Sequence, residues 1–281
     1  MGRRKLVLDF GMHEGEDTRF FLDAGADVVA FEANEELVKR NRRRFRREIE
    51  RGQLRIVFGA IVERSSSGET VPFFINDDKS VFSTAKPEWD ERNRLQGFHS
   101  HRTEVPAIHL DEILPDLKRP FAAKIDIEGA DRLVIGEIAR ADWTPDYISI
   151  ESEKASFERL QQEIQTLYDM GYRQFAAVQQ ATIPKRLVSG RRLDSGARFQ
   201  HRFRNHASGP FGPFLAEEVW KTADEVIHDY RAIFRRYRRF GDLSYLMQHR
   251  LTRLPTRLAN WMSIRVFGQP FCGWYDTHAR L

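Results

Sequence analysis

The 281-residue chain has one cysteine, Cys272, which excludes an intramolecular disulfide and a cysteine-rich zinc site. No stretch approaches the roughly 20 consecutive apolar residues of a membrane span. Met1-Gly-Arg-Arg-Lys5 passes straight into an apolar run, so no secretory hydrophobic region is expected. The Ser or Thr that N-myristoylation normally requires at the sixth position is replaced by Leu6. There is no internal repeat. These absences point to a soluble cytoplasmic protein with no membrane partner.

Acids are scarce in one place. Residues 181–281 hold 18 Lys and Arg against 8 Asp and Glu, whereas residues 1–180 hold 27 against 33. The first stretch is thus −6 and the second +10, and almost all of the later cations are arginine. Such a block can track phosphates, grip an anionic substrate or lie against an acidic surface, and clustered charge alone does not say which. The plainest reading is a solvated face with its aliphatic stems packed down. Oligomerisation stays open.

What is present is concentrated at the start. An apolar run ends in Asp9, and Gly11-Met-His-Glu-Gly15 then opens into a helical pattern at Glu16, Asp17 and Thr18. The next apolar run, Val28-Val-Ala-Phe-Glu32, also ends in an acid. This is the layout of a nucleoside-cofactor pocket at the edge of a parallel sheet. Glycines let backbone approach the ligand, and an acid at the second strand's tip can accept from both ribose hydroxyls. The spacing is Asp-x-Gly-x-x-x-Gly rather than the Gly-x-Gly-x-x-Gly that seats a pyrophosphate on a helix N-terminus. It favours S-adenosylmethionine over a dinucleotide.

Strands are expected at Lys5–Phe10, Val28–Glu32, Leu54–Val62, Val71–Ile75, Phe121–Ile127, Tyr147–Glu151 and Arg173–Gln179. Helices are expected from about Asp17 to Ala24, Glu35 to Arg51 and Phe157 to Met170. The polar stretch Asn76–His101 reads as a loop covering the site, and its His99 and His101, without acids nearby, as ordinary surface residues. Alternating strands and helices predict an α/β fold with a mostly parallel sheet and helices on both faces. The division expected is 1–180 for cofactor binding and 181–281 for a basic, aromatic cap over the substrate. Within the cap a helix is expected from about Leu215 to Arg239. Ser208-Gly-Pro-Phe-Gly212 should form a rigid turn near the pocket. Trp274, Tyr275, Asp276 and His278 should line the acceptor site or lock the cap, rather than add a strand to the sheet.

A second acidic cluster, Ala122-Ala-Lys-Ile-Asp126-Ile-Glu128-Gly129-Ala-Asp131, follows Leu110-Asp-Glu-Ile-Leu114. These segments resemble the FkbM family of S-adenosylmethionine-dependent methyltransferases, over roughly residues 6–153. Ser208–Gly212 followed by Trp220 is similar to a subset of that family. The resemblance implies a Rossmann-like class I methyltransferase fold and O-methylation of a hydroxyl on a sugar, glycan or secondary metabolite. Two departures stand out: His13 replaces a small polar residue common in relatives, and Phe82 interrupts paired serines, with Ser80 and Ser83 the nearest equivalents.

Cofactor contacts are expected from Asp9, Gly11, His13, Gly15, Thr18, Glu32, Ala33, Ala60, Ile61 and Asp126. An acceptor hydroxyl is a weak nucleophile at neutral pH and gains from a base. Asp126, Glu128, Glu151 and His13 are the candidates, with Glu153 beside Glu151 and His109 a weaker choice. No metal is assigned, although Asp126 and Glu128 together could bind an oxygen-ligated divalent ion. The plain alternatives are that Asp126 only bonds loop amides or the cofactor's amino group, and that Glu128 caps a helix. Competing functions are a nucleic-acid methyltransferase using the basic tail and a non-catalytic cofactor-binding protein.

Overall fold

The computed structural model describes residues 4–64, 68–78, 80–95, 97–127, 129–152, 156–184, 186–241, 250–267 and 273–281. In chain order the strands are β1 Leu6–Phe10, β2 Asp27–Glu32, β3 Leu54–Phe58, β4 Ala60–Ile61, β5 Thr70–Asn76, β6 Ser100–Ile108, β7 Ala122–Ile125, β8 Tyr147–Glu151, β9 Gln174–Gln179, β10 Leu187–Arg191, β11 Arg198–Arg202 and β12 Tyr275–Arg280. The helices are α1 Glu16–Asp23, α2 Glu35–Arg44, α3 Arg46–Glu50, α4 Pro87–Leu95, α5 Leu110–Ile113, α6 Asp131–Arg140, α7 Phe157–Asp169, α8 Ala223–Phe240 and α9 Arg250–Phe267. The main sheet has the order β3-β2-β1-β7-β8-β12-β9. The chain divides into two compact units, residues 1–148 with 187–201 and residues 149–186 with 202–281.

In the first unit β1 pairs in parallel with β2 and β7, and β2 with β3. Val7, Leu8, Phe10, Val28, Ala30, Phe31 and Ile125 are buried, as expected of parallel strands covered on both faces. Asn34 caps α2 by accepting from the N–H groups of Glu36 and Leu37. The single helix expected over Glu35–Arg51 is two, because Phe45 leaves helical geometry (φ −105°, ψ 22°) and turns its fully buried ring into the core. The strand expected to run through Val62 breaks at Gly59 (φ +144°), where a Cβ would sit 2.4 Å from the Pro106 carbonyl oxygen.

The stretch Asn76–His101 is not simply a loop. It contains a 3-10 turn at Ser80–Phe82, helix α4 and the start of β6, which pairs in parallel with β4 and antiparallel with β5. Ala60, Phe73 and Val105 form a small core beneath these elements. Pro87, pre-set for a first helical position, was the available signal for α4.

The tail departs most from expectation. β10 and β11 form a two-stranded sheet whose residues 187–201 belong to the first unit. Here the His201 ring nitrogen Nδ1 lies 2.9 Å from Asp23 Oδ2, and the Leu193 N–H donates to the Ala24 carbonyl at 2.7 Å. The hairpin therefore packs on α1. In the second unit β12 runs antiparallel to β9, Tyr275 opposite Gln179 and Arg280 opposite Gln174. The end of the chain is thus a strand of the main sheet, contrary to the cap reading. Helix α8 starts at Ala223 rather than near Leu215, because Thr222 and Glu225 form a capping box there. The Ser208–Gly212 tract is buried, with Gly209 (φ +100°) against Ile183 and the Phe211 ring edge-on to His278.

Candidate active site

The glycine turn is fixed by its backbone. After β1 the chain bends at Gly11 (φ +87°), His13 (φ +47°) and Gly15 (φ +78°). The N–H groups of Gly11 and Met12 both donate to the Phe31 carbonyl, at 3.1 and 2.9 Å. A Cβ on Gly11 would lie 1.9 Å from the Asp126 carbonyl oxygen, and one on Gly15 would lie 2.6 Å from the Phe45 ring. Neither position admits a side chain without displacement of its neighbour.

Glu32 closes the turn from the tip of β2. Its Oε2 accepts the His13 N–H at 2.7 Å and its Oε1 the Asn34 N–H at 2.8 Å. Asn41 Nδ2 donates to the His13 carbonyl at 2.6 Å and so holds the same residue by its next peptide group. Burial pushes the Glu32 carboxyl up from its ordinary pKa, opposed by the N–H groups of Asn34, His13 and Ala33 and by the charge of Lys124. A carboxylate has about four acceptor positions, and with three N–H groups on it about one remains for a ligand.

Beneath the turn lies a buried lysine that the sequence reading did not single out. Lys124, on β7, is 3% exposed. Its Nζ donates to the Gly11 carbonyl at 3.0 Å and lies 3.4 Å from Asp17 Oδ2, 3.4 Å from Asp126 Oδ2 and 3.6 Å from Asp9 Oδ1. Three carboxylates thus surround one ammonium. Asp9 is fully enclosed. Thr18 Oγ1 donates to its Oδ2 at 2.5 Å, while Oδ1 has no hydrogen-bond donor among the described residues. Desolvation raises the Asp9 pKa to about 6, against the lowering effect of Lys124. Asp9 and Thr18 therefore brace Lys124 and the turn from behind and offer no surface to a ligand.

Asp126 differs from its neighbours in being exposed, with 44% of its side-chain surface accessible at the end of β7. The Ile127 N–H donates to Asp131 Oδ1 at 3.1 Å, which shapes the segment after it. Glu128 and Glu153 lie outside the described residues. His13, one departure from the family pattern, meets one of the two serines that Phe82 separates: His13 Nε2 is 2.8 Å from Ser80 Oγ. Ser83 Oγ instead accepts the Asn76 N–H. Ala60 and Ile61 are buried and Ala33 packs against the Ala60 core. Glu151, at the end of β8, belongs to the second unit.

The loop histidines His99 and His101 are paired with acids, against expectation. His99 Nδ1 is 3.2 Å from Asp78 Oδ2 and His101 Nδ1 2.7 Å from Asp77 Oδ1, so each has an acid beside it. No cluster of three or more His, Cys, Asp or Glu able to hold a metal occurs among the described residues. His109 is buried at Nδ1.

The family model of the methyltransferase FkbM domain matches residues 9–174, more than half of the chain. The chain belongs to the FkbM methyltransferase family. Its cofactor is S-adenosylmethionine, and its fold is the class I methyltransferase fold. Among solved structures, FkbM methyltransferase from Methylobacillus flagellatus is similar at 15% identity over 61% of this chain and 39% of that one, with TM-score 0.37. A SAM-dependent methyltransferase from Archaeoglobus fulgidus matches at 11% identity over 99% of this chain and 86% of that one, with TM-score 0.37. Precorrin-6y C5,15-methyltransferase from Geobacter metallireducens matches at 13% identity, 72% of this chain and 76% of that one, with TM-score 0.35. Among curated proteins none matches.

The residues of this FkbM chain fit the cofactor. The turn leaves no room for a Cβ at Gly11 or Gly15, Glu32 keeps about one acceptor position, and three carboxylates lie around Lys124. An excess of carboxylate suits a ligand that carries sulfonium and ammonium cations. In the second unit Ser152, Tyr230, Phe234, Tyr237, Trp274 and Tyr275 line a pocket. The hydroxyls of Ser152, Tyr230 and Thr277 form a buried triangle with sides of 2.6, 2.6 and 2.9 Å. No described helix is long and apolar enough to cross a membrane.

Proposed function

We propose that this protein methylates a hydroxyl group of a sugar or secondary metabolite, with Asp126 as the base that receives the hydroxyl proton. The observation that carries the reading is the contrast within one cluster: Asp9 and Asp17 are buried, while Asp126 shares their lysine and reaches solvent. It sits at the carboxyl end of a parallel strand, where open α/β sheets bind ligands. Bound S-adenosylmethionine supplies an electrophilic methyl group on sulfur. Glu32 would accept from its ribose, Gly11 and Gly15 give the turn the shape that would receive it, and His13, tied to Ser80, borders the same turn. Glu128 and Glu151 stand as secondary candidates for the base.

The test is transfer of radiolabelled methyl groups from S-adenosylmethionine to a panel of sugars and polyhydroxylated metabolites, with product analysis. An alkali-stable methyl ether supports the reading, and Asp126→Asn should lower kcat about a hundredfold while the protein stays folded. Methylation confined to nitrogen or to carboxylates would contradict it, as would label passing only to RNA.

A further inference from the structure

Helix α9 presents its apolar side to water. Leu254, Leu258, Trp261 and Met262 recur at the spacing of one helical face and are 73%, 61%, 51% and 50% exposed. Ser263, about half a turn away from that face, is 5% exposed. A soluble helix ordinarily buries leucines and exposes serines, so the pattern is inverted. The helix also carries Arg250, Arg253, Arg257 and Arg265 and has no acid at all. The Arg265 guanidinium lies 4.9 Å from the centre of the Trp261 ring, joining a cation to an aromatic on the exposed side.

We propose that α9 is a membrane-surface helix that lays this protein on an anionic lipid bilayer. Leucine and methionine side chains would enter the acyl boundary, Trp261 would sit at the headgroup level, and the arginines would meet lipid phosphates. Charge decides between occupants. Two copies of the helix brought face to face would each carry four cations and no compensating acid, so self-pairing is opposed. A nucleic acid would answer the arginines and leave the apolar face uncovered. An anionic bilayer answers both. A helix lying in the interface does not need the length of a span, so the surface contact is compatible with the absence of a crossing helix among the described residues.

The test is sedimentation of the full-length protein with vesicles of phosphatidylcholine alone and with about 30% phosphatidylglycerol, at low salt and at about 0.15 M salt. The companion is the combined variant Leu254→Gln, Leu258→Gln and Met262→Gln, checked for fold by circular dichroism and for retained S-adenosylmethionine affinity. The expected result is several-fold stronger binding to the anionic vesicles, weakened by salt and lost in the folded variant. Equal binding by variant and wild type would overturn the proposal by placing the contact elsewhere. Absence of binding to either vesicle would overturn it too. A wild-type dimer by light scattering that the variant turns into a monomer would assign the face to a second copy instead.

Discussion

Lys124 and Gly11 meet at one hydrogen bond, and each can be tested alone. Lys124 is the shared counter-ion of Asp9, Asp17 and Asp126. Lys124→Met keeps the volume of the stem but takes from two buried carboxylates the cation they share. Breaking a buried pair in this way costs about 3–5 kcal/mol, so the urea midpoint should fall sharply. An unchanged midpoint would mean that the acids are neutral without it. Gly11→Ala adds a methyl that meets the Asp126 carbonyl at 1.9 Å from a backbone already at φ +87°. The backbone strain alone is worth on the order of 1–3 kcal/mol, and the close contact adds to it. Thermal unfolding and cofactor titration should both register the loss. The two glycines and Glu32 were legible in the sequence because their residue types are nearly dictated by the turn. Lys124 was passed over although it is the only charge in Ala122–Ile125. A lysine inside a strand destined for burial demands acids around it, and that demand was the missed signal.

At the scale of elements, the parallel strands announced themselves through continuous apolar runs, and β12 could not. Its sequence is Tyr-Asp-Thr-His-Ala-Arg, yet Asp276, Thr277, His278 and Ala279 are all buried. Polar side chains inside a sheet leave no hydrophobic pattern to read; their burial depends on partners distant in sequence, such as Ser152 and Tyr230 for Thr277. The same holds for α4, whose Pro-Glu-Trp-Asp-Glu-Arg-Asn-Arg-Leu has too few apolar residues to show a helical face. The structure therefore changes what truncation should do. A chain ending at Gln180 loses the strand that pairs with β9 along all six of its residues. Such a fragment should be insoluble or lack cooperative unfolding by circular dichroism. A stable, cooperatively folded fragment would show that β12 is dispensable.

For the whole molecule, two buried groups give opposite pH dependences. His278 is 1% exposed, with both ring nitrogens lacking hydrogen-bond partners among the described residues, and desolvation lowers its pKa to about 3. Its contribution is fully present above its ordinary value of about 6.5 and is lost as pH falls toward 3, at about 1.4 kcal/mol per unit. Asp9, raised to about 6, has the reverse sign. The native state takes its proton more readily than the unfolded chain, so stability is lost as pH rises from about 4 toward 6. In that window the two slopes oppose each other. His278→Gln should therefore gain stability relative to the wild type as pH falls below about 6.5, and Asp9→Asn should gain relative to it as pH rises through about 4 to 6. Denaturant unfolding across this range checks both, and pH-independent differences would contradict the burial of these groups.

Glu32 organises the glycine turn and is the residue proposed to hold the ribose, so the most direct test is calorimetric titration of S-adenosylmethionine into the wild type and Glu32→Ala. The predicted result is one site in the wild type and a loss of about 1.5–3 kcal/mol of binding in the variant, the range for hydrogen bonds to a charged group. An unchanged dissociation constant in a folded Glu32→Ala protein would contradict it.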